Sequence, residues 1–359
     1  MNSPYATIVD NQDFHPALYA EKIDRALRAG DKDTIVKVLT SISNNQRQQL
    51  REPYKIKYGK DIIAALDKKF SGDLERTIFA LMDTPLDYDV KQLKQAMKGL
   101  GTDEAVLIEI LCSRTPDQMA AIRIAYEREY KTPLEKDVGS TFHSVREKMK
   151  ALKTLDMVAS DTSGEFKDLL VALVTGSRDG SRNTNDQEAK DDAVRLYADG
   201  KAKLVGKDSP SHFLKILATQ NQYQLRKVSV SHCMVNHREV NVGVKVFAAF
   251  ADLSGSTIEK AIEKEFSGDL QKSYLTIVQA ASDKQKFFAR QLYNSMKVGL
   301  GTRDNDLIRV LVTRSEVDLE LIKQEFQALY NKPLEDMIKG DTSGQYRDAL
   351  LAIVVGNRM

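Results

Sequence analysis

Two glycine-containing loops carry the clearest chemical signal in this sequence. One reads MKGLGTDE over residues 97–104, and the other reads MKVGLGTRD over residues 296–304. The glycines let the backbone turn so that several carbonyl oxygens can converge on one point. Carbonyl oxygens are neutral hard ligands, and Ca²⁺ takes roughly six to eight oxygens at about 2.3–2.6 Å. Both loops are therefore candidate calcium sites that still need a negative charge.

An acidic residue follows each loop and can supply that charge. Thr302 is followed by 38 residues and then by Asp341, which opens the segment DTSG. Asp161 opens the same segment after the first loop, at a longer interval. Helix capping is the alternative role for both residues, because negative charge near a helix N-terminus stabilises a helix by about 0.3–1 kcal/mol.

The elements that must position these residues form an internal repeat. Its markers are four Ser-Gly serines at 71, 163, 267 and 343, and four helix-end leucines at 39, 111, 217 and 311. The first two leucines are 72 positions apart, and the second and third copies contain roughly 20 extra residues. Apolar spacing predicts five helices per unit and no strand, with Ser343 capping the last helix. One unit is not expected to bury its apolar faces alone, so neighbouring units must pack together.

Composition narrows the class of protein further. The 359 residues carry 53 Lys and Arg against 51 Asp and Glu, a balance that argues against a nucleic-acid partner. Two cysteines can form at most one disulfide bond, which is too few to stabilise a chain of this length. The low cysteine count therefore favours a reducing compartment. The N-terminus lacks the pattern of a signal peptide, and no apolar run approaches the ~18 residues that span a bilayer. We therefore predict a cytoplasmic protein that is peripheral at membranes, and no catalytic motif suggests an enzyme.

The GxGT loop, the acid that follows it and the four phased repeats together resemble the annexin family, from about residue 16 to residue 357. The resemblance implies an all-α fold of four five-helix repeats in a curved disc, a right-handed superhelical array with calcium loops on its convex face. It also implies Ca²⁺ as the cofactor and calcium-dependent binding to anionic phospholipid membranes.

The repeat phasing divides the chain into six segments. They are an N-terminal head (1–15), repeat 1 (16–84), repeat 2 (87–176), a linker (177–187), repeat 3 (188–280) and repeat 4 (283–357). Repeat 2 contains an insertion at about 140–160, whose apolar spacing predicts an amphipathic helix packed on its own repeat. Repeat 3 contains an insertion at about 229–247, where VNVGVKV alternates with a period of two and its structure stays open.

The resemblance implies, position by position, that each calcium site consists of backbone carbonyls and one acidic side chain. They are Met97, Gly99 and Gly101 with Asp161 in repeat 2, Leu204 and Gly206 with Glu265 in repeat 3, and Lys297, Gly299 and Gly301 with Asp341 in repeat 4. The repeat-3 loop GKAKLVGKD is altered and one residue longer than the family's pattern.

Repeat 1 departs from this pattern. Its loop RAGDKDT is two residues shorter, and Lys69 occupies the position of the acid, so no calcium is expected there. If the acidic residues served only as helix caps, the short loop and the basic Lys69 would have no reason to occur in the same repeat. The comparison among copies therefore favours calcium ligation for Asp161 and Asp341.

The expected function is calcium-dependent binding and organisation of anionic membranes. Leu100, Leu300 and the Leu204–Val205 pair stand at the loop tips, where they either pack locally or enter the headgroup layer. The alternative is a protein-interaction scaffold that acts through the N-terminal head or the insertions, with calcium secondary. Self-association on membranes also stays open.

Overall fold

The architecture is that of a computed structural model of the chain. The structure describes residues 3–98, 102–141, 162–176, 178–198, 200–205, 211–225, 246–296 and 301–358. Most of the predicted amphipathic helix at 140–160 and nearly all of the 229–247 insertion lie outside these ranges, so both predictions stay as they were.

The described residues are mainly α-helical, which confirms the predicted fold class. In the region of repeat 1 the helices are α1 (Pro16–Ala29), α2 (Lys32–Thr40), α3 (Asn44–Gln48), α4 (Arg51–Tyr58), α5 (Ile62–Asp67) and α6 (Gly72–Met82). Repeat 2 contains α7 (Pro85–Ala96), α8 (Glu104–Ser113), α9 (Pro116–Tyr130) and α10 (Thr162–Thr175), and residues 134–141 are also helical. Repeat 3 contains α11 (Asp186–Leu196), β1 (Tyr197–Ala198), β2 (Lys201–Ala202), α12 (His212–Thr219), α13 (Gln222–Leu225), α14 (Val246–Ser254), α15 (Ile258–Glu265) and α16 (Gly268–Ser282). Repeat 4 contains α17 (Lys284–Ser295), α18 (Asp304–Ser315), α19 (Leu319–Tyr330), α20 (Leu334–Asp341) and α21 (Gly344–Val355).

The prediction of no strand is wrong at one place, because β1 and β2 pair antiparallel in the repeat-3 loop. Gly200, which precedes β2, has a φ of 71°. An Asp-Gly pair between short extended segments is a strong hairpin signal. The pair at residues 199–200 carried that signal in the sequence.

Five helices form in repeat 4 as predicted, whereas repeat 1 has six. The additional break separates α3 from α4 at residues 49–50. Pro53 explains it, since proline has no N–H to donate to the carbonyl of Gln49 and its ring would clash there in a continuous helix.

In repeats 1, 3 and 4 the Ser-Gly marker acts through its glycine, whereas Gly164 of repeat 2 lies inside α10. The serines before α6, α16 and α21 make no side-chain capping hydrogen bond, so the predicted cap role of Ser343 is wrong. The adjacent glycines have left-handed backbones: Gly72, Gly268 and Gly344, with φ of 66°, 62° and 60°. Glycine adopts this conformation without a steric cost, and other residues do not.

The chain divides into two compact units, Met1–Tyr88 with Gln285–Met359 and Asp89–Lys284. In the first unit, α2 packs on α21 and α6 packs on α18. In the second unit, α8 packs on α16 and α11 packs on α14. Each unit thereby buries the apolar faces of two repeats against each other. None of the described helices is long and apolar enough to cross a membrane.

The N-terminal head is held on the first unit by backbone hydrogen bonds. Thr7 and Ile8 donate their amides to the carbonyl of Ser315, at 2.8 and 3.1 Å. The carbonyl of Thr7 accepts from the amide of Asn357 at 3.1 Å. Ala6, Thr7 and Ile8 are buried. Because these backbone groups are already bonded within the chain, the head would have to detach before it paired with a partner through them.

We predict that Gly356→Ala weakens this docking. Gly356 has a φ of 69°, and a Cβ at this position would overlap the carbonyl of Thr7. Backbone strain and overpacking together are expected to cost roughly 3 kcal/mol. Gly30→Ala is the matched control, because Gly30 has a φ of 72° with no atom within 4 Å of the added Cβ. Its expected cost is only about 1–2 kcal/mol. Urea unfolding measures the free energy of unfolding of both variants. Equal losses of stability would contradict the predicted overlap with the carbonyl of Thr7.

Candidate metal site

The repeat-4 loop and its predicted acid are joined directly. The hydroxyl of Thr302 donates to Oδ2 of Asp341 at 2.6 Å and lies 3.3 Å from the carbonyl oxygen of the same residue. These two residues are 39 positions apart in the chain. Oδ1 of Asp341 makes no hydrogen bond within the described residues, so one carboxylate oxygen is free to bind a cation. Residues 297–300, which include the predicted ligands Lys297 and Gly299, lie outside the described ranges.

The position of Asp341 argues against helix capping. Asp341 is the last residue of α20, three residues before α21 begins at Gly344. Its carboxylate accepts its hydrogen bond from Thr302, not from the backbone amides of α21. The C-terminal end of a helix carries partial negative charge and favours cations. A carboxylate here is therefore unfavourable by itself and becomes favourable when a cation lies next to it.

Gly301 gives the end of the loop a backbone turn that other residues resist. Its φ is 75°, and a Cβ added there would meet no atom within 4 Å. The requirement for glycine is therefore one of conformation and not of space. The residue as a whole is exposed to solvent.

Burial acts on a second carboxyl beside the loop. Asp304 is the first residue of α18, and burial raises its pKa, while the nearby hydroxyl of Tyr346 opposes that change. The nearby carboxylate of Asp73 also raises the pKa of Asp304. The surroundings thus disfavour charge on Asp304, whereas Asp341 is the described carboxylate that is bonded to the loop itself.

Backbone hydrogen bonds close the loops of repeats 1, 2 and 4 at different lengths. They run from Arg303 N to Ser295 O at 2.8 Å in repeat 4, from Asp103 N to Ala96 O at 2.9 Å in repeat 2, and from Asp31 N to Ala26 O at 2.9 Å in repeat 1. Repeat 1 therefore closes two positions earlier than repeat 2. Its Lys69 is exposed and follows α5, where repeat 4 has Asp341 at the end of α20. The short loop and the cation agree with the predicted lack of a calcium site in repeat 1.

In repeat 2 the structure describes the threonine that corresponds to Thr302 but not the predicted acidic ligand. Met97 is described and partly buried, whereas Gly99, Gly101 and Asp161 lie outside the described ranges. The hydroxyl of Thr102, the counterpart of Thr302, is buried and has no hydrogen-bond partner among the described residues. An unpaired buried hydroxyl is costly, and a carboxylate at the position of Asp161 would satisfy it.

In repeat 3 the two side chains predicted to lie at the loop tip, Leu204 and Val205, differ in exposure. Leu204 is only 1% exposed, so for this residue local packing is correct and entry into a headgroup layer is wrong. Val205 is 56% exposed. Glu265 is exposed and ends α15, as Asp341 ends α20. Gly206, Leu100 and Leu300 lie outside the described ranges, so their predicted roles stay predictions.

The donor set fits a hard divalent cation. The described part of repeat 4 offers the backbone carbonyl of the exposed Gly301 and an oriented carboxylate at Asp341, both oxygen ligands of the kind that Ca²⁺ prefers. No group of three or more His, Cys, Asp or Glu side chains within the described ranges is placed to hold a metal. A site built mainly from backbone oxygens does not require such a group.

Comparisons with known proteins agree with the repeats and the loop. The sequence profile of the annexin family matches residues 19–81, 88–152 and 287–353. Annexin A13 of Canis lupus familiaris is 40% identical over 337 residues, which cover 93% of this chain and 94% of that protein. The solved structure of annexin III superposes with a TM-score of 0.82 at 32% identity, covering 99% of each chain. The structure of calcium-bound annexin (Sm)1 superposes with a TM-score of 0.73 at 27% identity, covering 97% of this chain and 92% of that one.

Thr302→Val is predicted to weaken calcium binding in repeat 4 by about tenfold, because residues that orient a metal ligand typically contribute that much to affinity. Thr302→Ser is the control, since it keeps the hydroxyl. Isothermal titration with Ca²⁺ measures both changes, in a chain that also carries Asp161→Ala and Glu265→Ala. Those two changes leave repeat 4 as the predicted remaining site. Equal affinities of the valine and serine variants would show that the Thr302 hydroxyl does not position Asp341.

Proposed function

The chain belongs to the annexin family, and from that membership we propose that it binds anionic phospholipid membranes when Ca²⁺ occupies its loops. Proteins of this family bind Ca²⁺, are generally calcium-dependent phospholipid binders and are generally not enzymes. The observation that carries the proposal is the hydrogen bond between Thr302 and Asp341, which brings a distant carboxylate to a glycine loop.

In repeat 4 we assign the calcium ligands to the carbonyls of Lys297, Gly299 and Gly301 and to the carboxylate of Asp341. Three carbonyls and a bidentate carboxylate supply about five oxygens, fewer than the roughly six to eight that Ca²⁺ takes. The remaining coordination positions are open to water or to a phosphoryl oxygen of a lipid headgroup. This open coordination is what couples the metal to the membrane.

Two further loops take the same assignment. Repeat 2 would use the carbonyls of Met97, Gly99 and Gly101 with the carboxylate of Asp161, and the buried hydroxyl of Thr102 supports a carboxylate at that position. Repeat 3 would use the carbonyls of Leu204 and Gly206 with the carboxylate of Glu265. Repeat 1 is proposed to bind no calcium, because its loop closes early and Lys69 replaces the acid.

The affinity of each site for calcium alone should be low. A site with a single carboxylate belongs with the weaker calcium modules, whose dissociation constants are about 10⁻⁴–10⁻³ M. A phosphoryl oxygen that completes the coordination raises the affinity for Ca²⁺, and Ca²⁺ raises the affinity for lipid by the same factor. Several such sites on one chain then add through effective concentration.

Binding to several headgroups at once supports a role in organising membranes, which we assign to their cytoplasmic side. The alternative of a protein-interaction scaffold stays a prediction. For its N-terminal head, the hydrogen bonds of Thr7 and Ile8 to Ser315 mean that partner binding through this backbone would compete with docking within the chain.

We predict that the double variant Asp161→Ala and Asp341→Ala loses most calcium-dependent binding to anionic vesicles. Each change removes the one negative ligand of its loop while leaving the helices in place. Co-sedimentation with phosphatidylserine vesicles, with Ca²⁺ and then with chelator, measures the loss. Asp336→Ala is the matched control, because Asp336 lies in the same helix as Asp341 and has an exposed ion pair with Lys339 at 3.3 Å.

The control should sediment with vesicles like the unaltered chain. Sedimentation that is indifferent to chelator in the unaltered chain would overturn the proposal. Retained calcium-dependent sedimentation in the double variant would instead show that these two carboxylates are not the ligands. Circular dichroism of the double variant separates loss of binding from loss of fold.

A further inference from the structure

A cavity of about 260 Å³ lies within the second unit and contains none of the predicted calcium ligands. It is lined by the junction between α8 and α9, by residues 178–182, by the start of α13 and by the last turns of α16. Ligand pockets for drug-sized molecules usually measure about 300–1,000 Å³. The space therefore suits a smaller molecule or one chemical group of a larger one.

One wall of the cavity contains a guanidinium group without a counter-charge. Nη2 of Arg178 donates to the carbonyl of Leu217 at 2.8 Å, at the C-terminal end of α12. Its Nε is buried and has no hydrogen-bond partner. No carboxylate lies within ion-pair distance of Arg178 among the described residues. Burial also lowers the pKa of this guanidinium, which is the direction expected when the charged form is poorly solvated.

Three other arginines are buried among the described residues, Arg47, Arg114 and Arg309, and each pairs with a carboxylate, whereas Arg178 is half-buried with its Nε fully covered. Arg47 contacts the carbonyl of Leu39, which corresponds to Leu217 in the repeat phasing, and it also pairs with Glu316 at 2.5 Å. Arg114, which lines the same cavity as Arg178, pairs with Asp89 through two hydrogen bonds of 2.7 Å. Leaving a buried charge without a partner costs several kcal/mol in general. Arg178 is therefore the group in this cavity that a bound anion would stabilise.

The carboxylates of the lining do not fill that role. Asp179 accepts the amide of Ser181 at 2.7 Å, the hydroxyl of Ser181 at 2.7 Å and the side-chain amide of Asn221 at 2.7 Å. The hydrogen bond from Asn221 is the main reason that the pKa of Asp179 is lowered. Asp117 is exposed in the first turn of α9 and makes no ion pair with Arg178.

A second cation and an apolar surface complete the cavity. The guanidinium of Arg182 lies 5.7 Å from the centre of the Tyr223 ring, and both residues are in the lining. Ile277 and Ala280 of α16 contribute apolar groups to the lining. Two guanidinium groups beside an apolar wall are suited to an anionic group attached to a small apolar body.

We propose that this cavity binds an oxyanion, a phosphate group held by Arg178 and Arg182, with any attached apolar part against α16. A free phosphate compound and a lipid headgroup share this chemistry. Because none of the predicted calcium ligands lines the cavity, binding is expected without Ca²⁺ and is independent of the proposed membrane function.

The chain has no tryptophan, so Tyr223→Trp creates a single fluorescent reporter in the cavity lining. This variant is titrated with inorganic phosphate in chelator at constant ionic strength. The expected result is a saturable fluorescence change. Adding Arg178→Lys or Arg182→Gln should weaken the apparent affinity by about tenfold or more, since each removes hydrogen bonds to a charged ligand. Tyr58→Trp is the matched control, because Arg28 lies 5.8 Å from the Tyr58 ring outside the cavity.

Phosphate titration of the control should give no saturable signal. A second arm replaces phosphate with phosphatidylserine vesicles in chelator. A response to phosphate identifies a free oxyanion as sufficient, whereas a response to vesicles alone, lost in the arginine variants, identifies a headgroup. Should Arg178→Lys fail to fold by circular dichroism, Arg182→Gln carries the test, since Arg182 is exposed. No saturable response in either arm, or equal affinities with and without the arginines, would overturn the proposal.

Discussion

A single side-chain hydrogen bond links the two parts of the candidate calcium site in repeat 4. Thr302 belongs to the loop before α18, and Asp341 ends α20, after the chain has passed through three helices. The bond forms only if α18, α19 and α20 fold back on one another with the correct lengths. Because Asp341 is at a helix C-terminus, its charge is unfavourable there until a cation arrives. The fold thus holds a carboxylate where the helix dipole opposes its charge, so a cation beside it would be favourable.

The repeated sequence provides an internal comparison for this arrangement. Repeat 1 keeps the helices but closes its loop two positions earlier than repeat 2, between Asp31 and Ala26. Its Lys69 then places positive charge after a helix, which the helix dipole favours without any ligand. The same packing therefore supports both a short loop followed by a basic residue and a longer loop bonded to a carboxylate.

Buried arginines show a related contrast between the two units. Arg47 and Arg178 contact the carbonyls of corresponding leucines, 39 and 217, at the ends of equivalent helices. Arg47 also has Glu316 as a partner, whereas Arg178 faces a cavity with no carboxylate bonded to it. One position is complete within the chain, and the other has a charge that an external anion can satisfy.

Much of the helical pattern could be predicted from the sequence, and the failures have specific physical causes. Apolar spacing and the Ser-Gly markers located the helices of repeat 4, because local periodicity reports which face is buried. The predicted capping role of Ser343 was wrong, because the start of α21 depends on the left-handed backbone of Gly344 and not on a capping hydroxyl. The break before Pro53 and the hairpin at Gly200 had local signals that the repeat pattern obscured.

The sequence by itself determined the repeats, the glycine loops, the acid that follows each of two loops and the substitution by Lys69 in repeat 1. These features are local, and spacing along the chain reveals them. Only the tertiary structure decided that Thr302 bonds Asp341, that Leu204 is buried beside an exposed Val205, and that Arg178 has no ion-pair partner in the part of the chain that the structure describes. Each of these depends on which groups packing brings together across many residues. Burial and pairing are properties of that packing, so no local pattern could specify them.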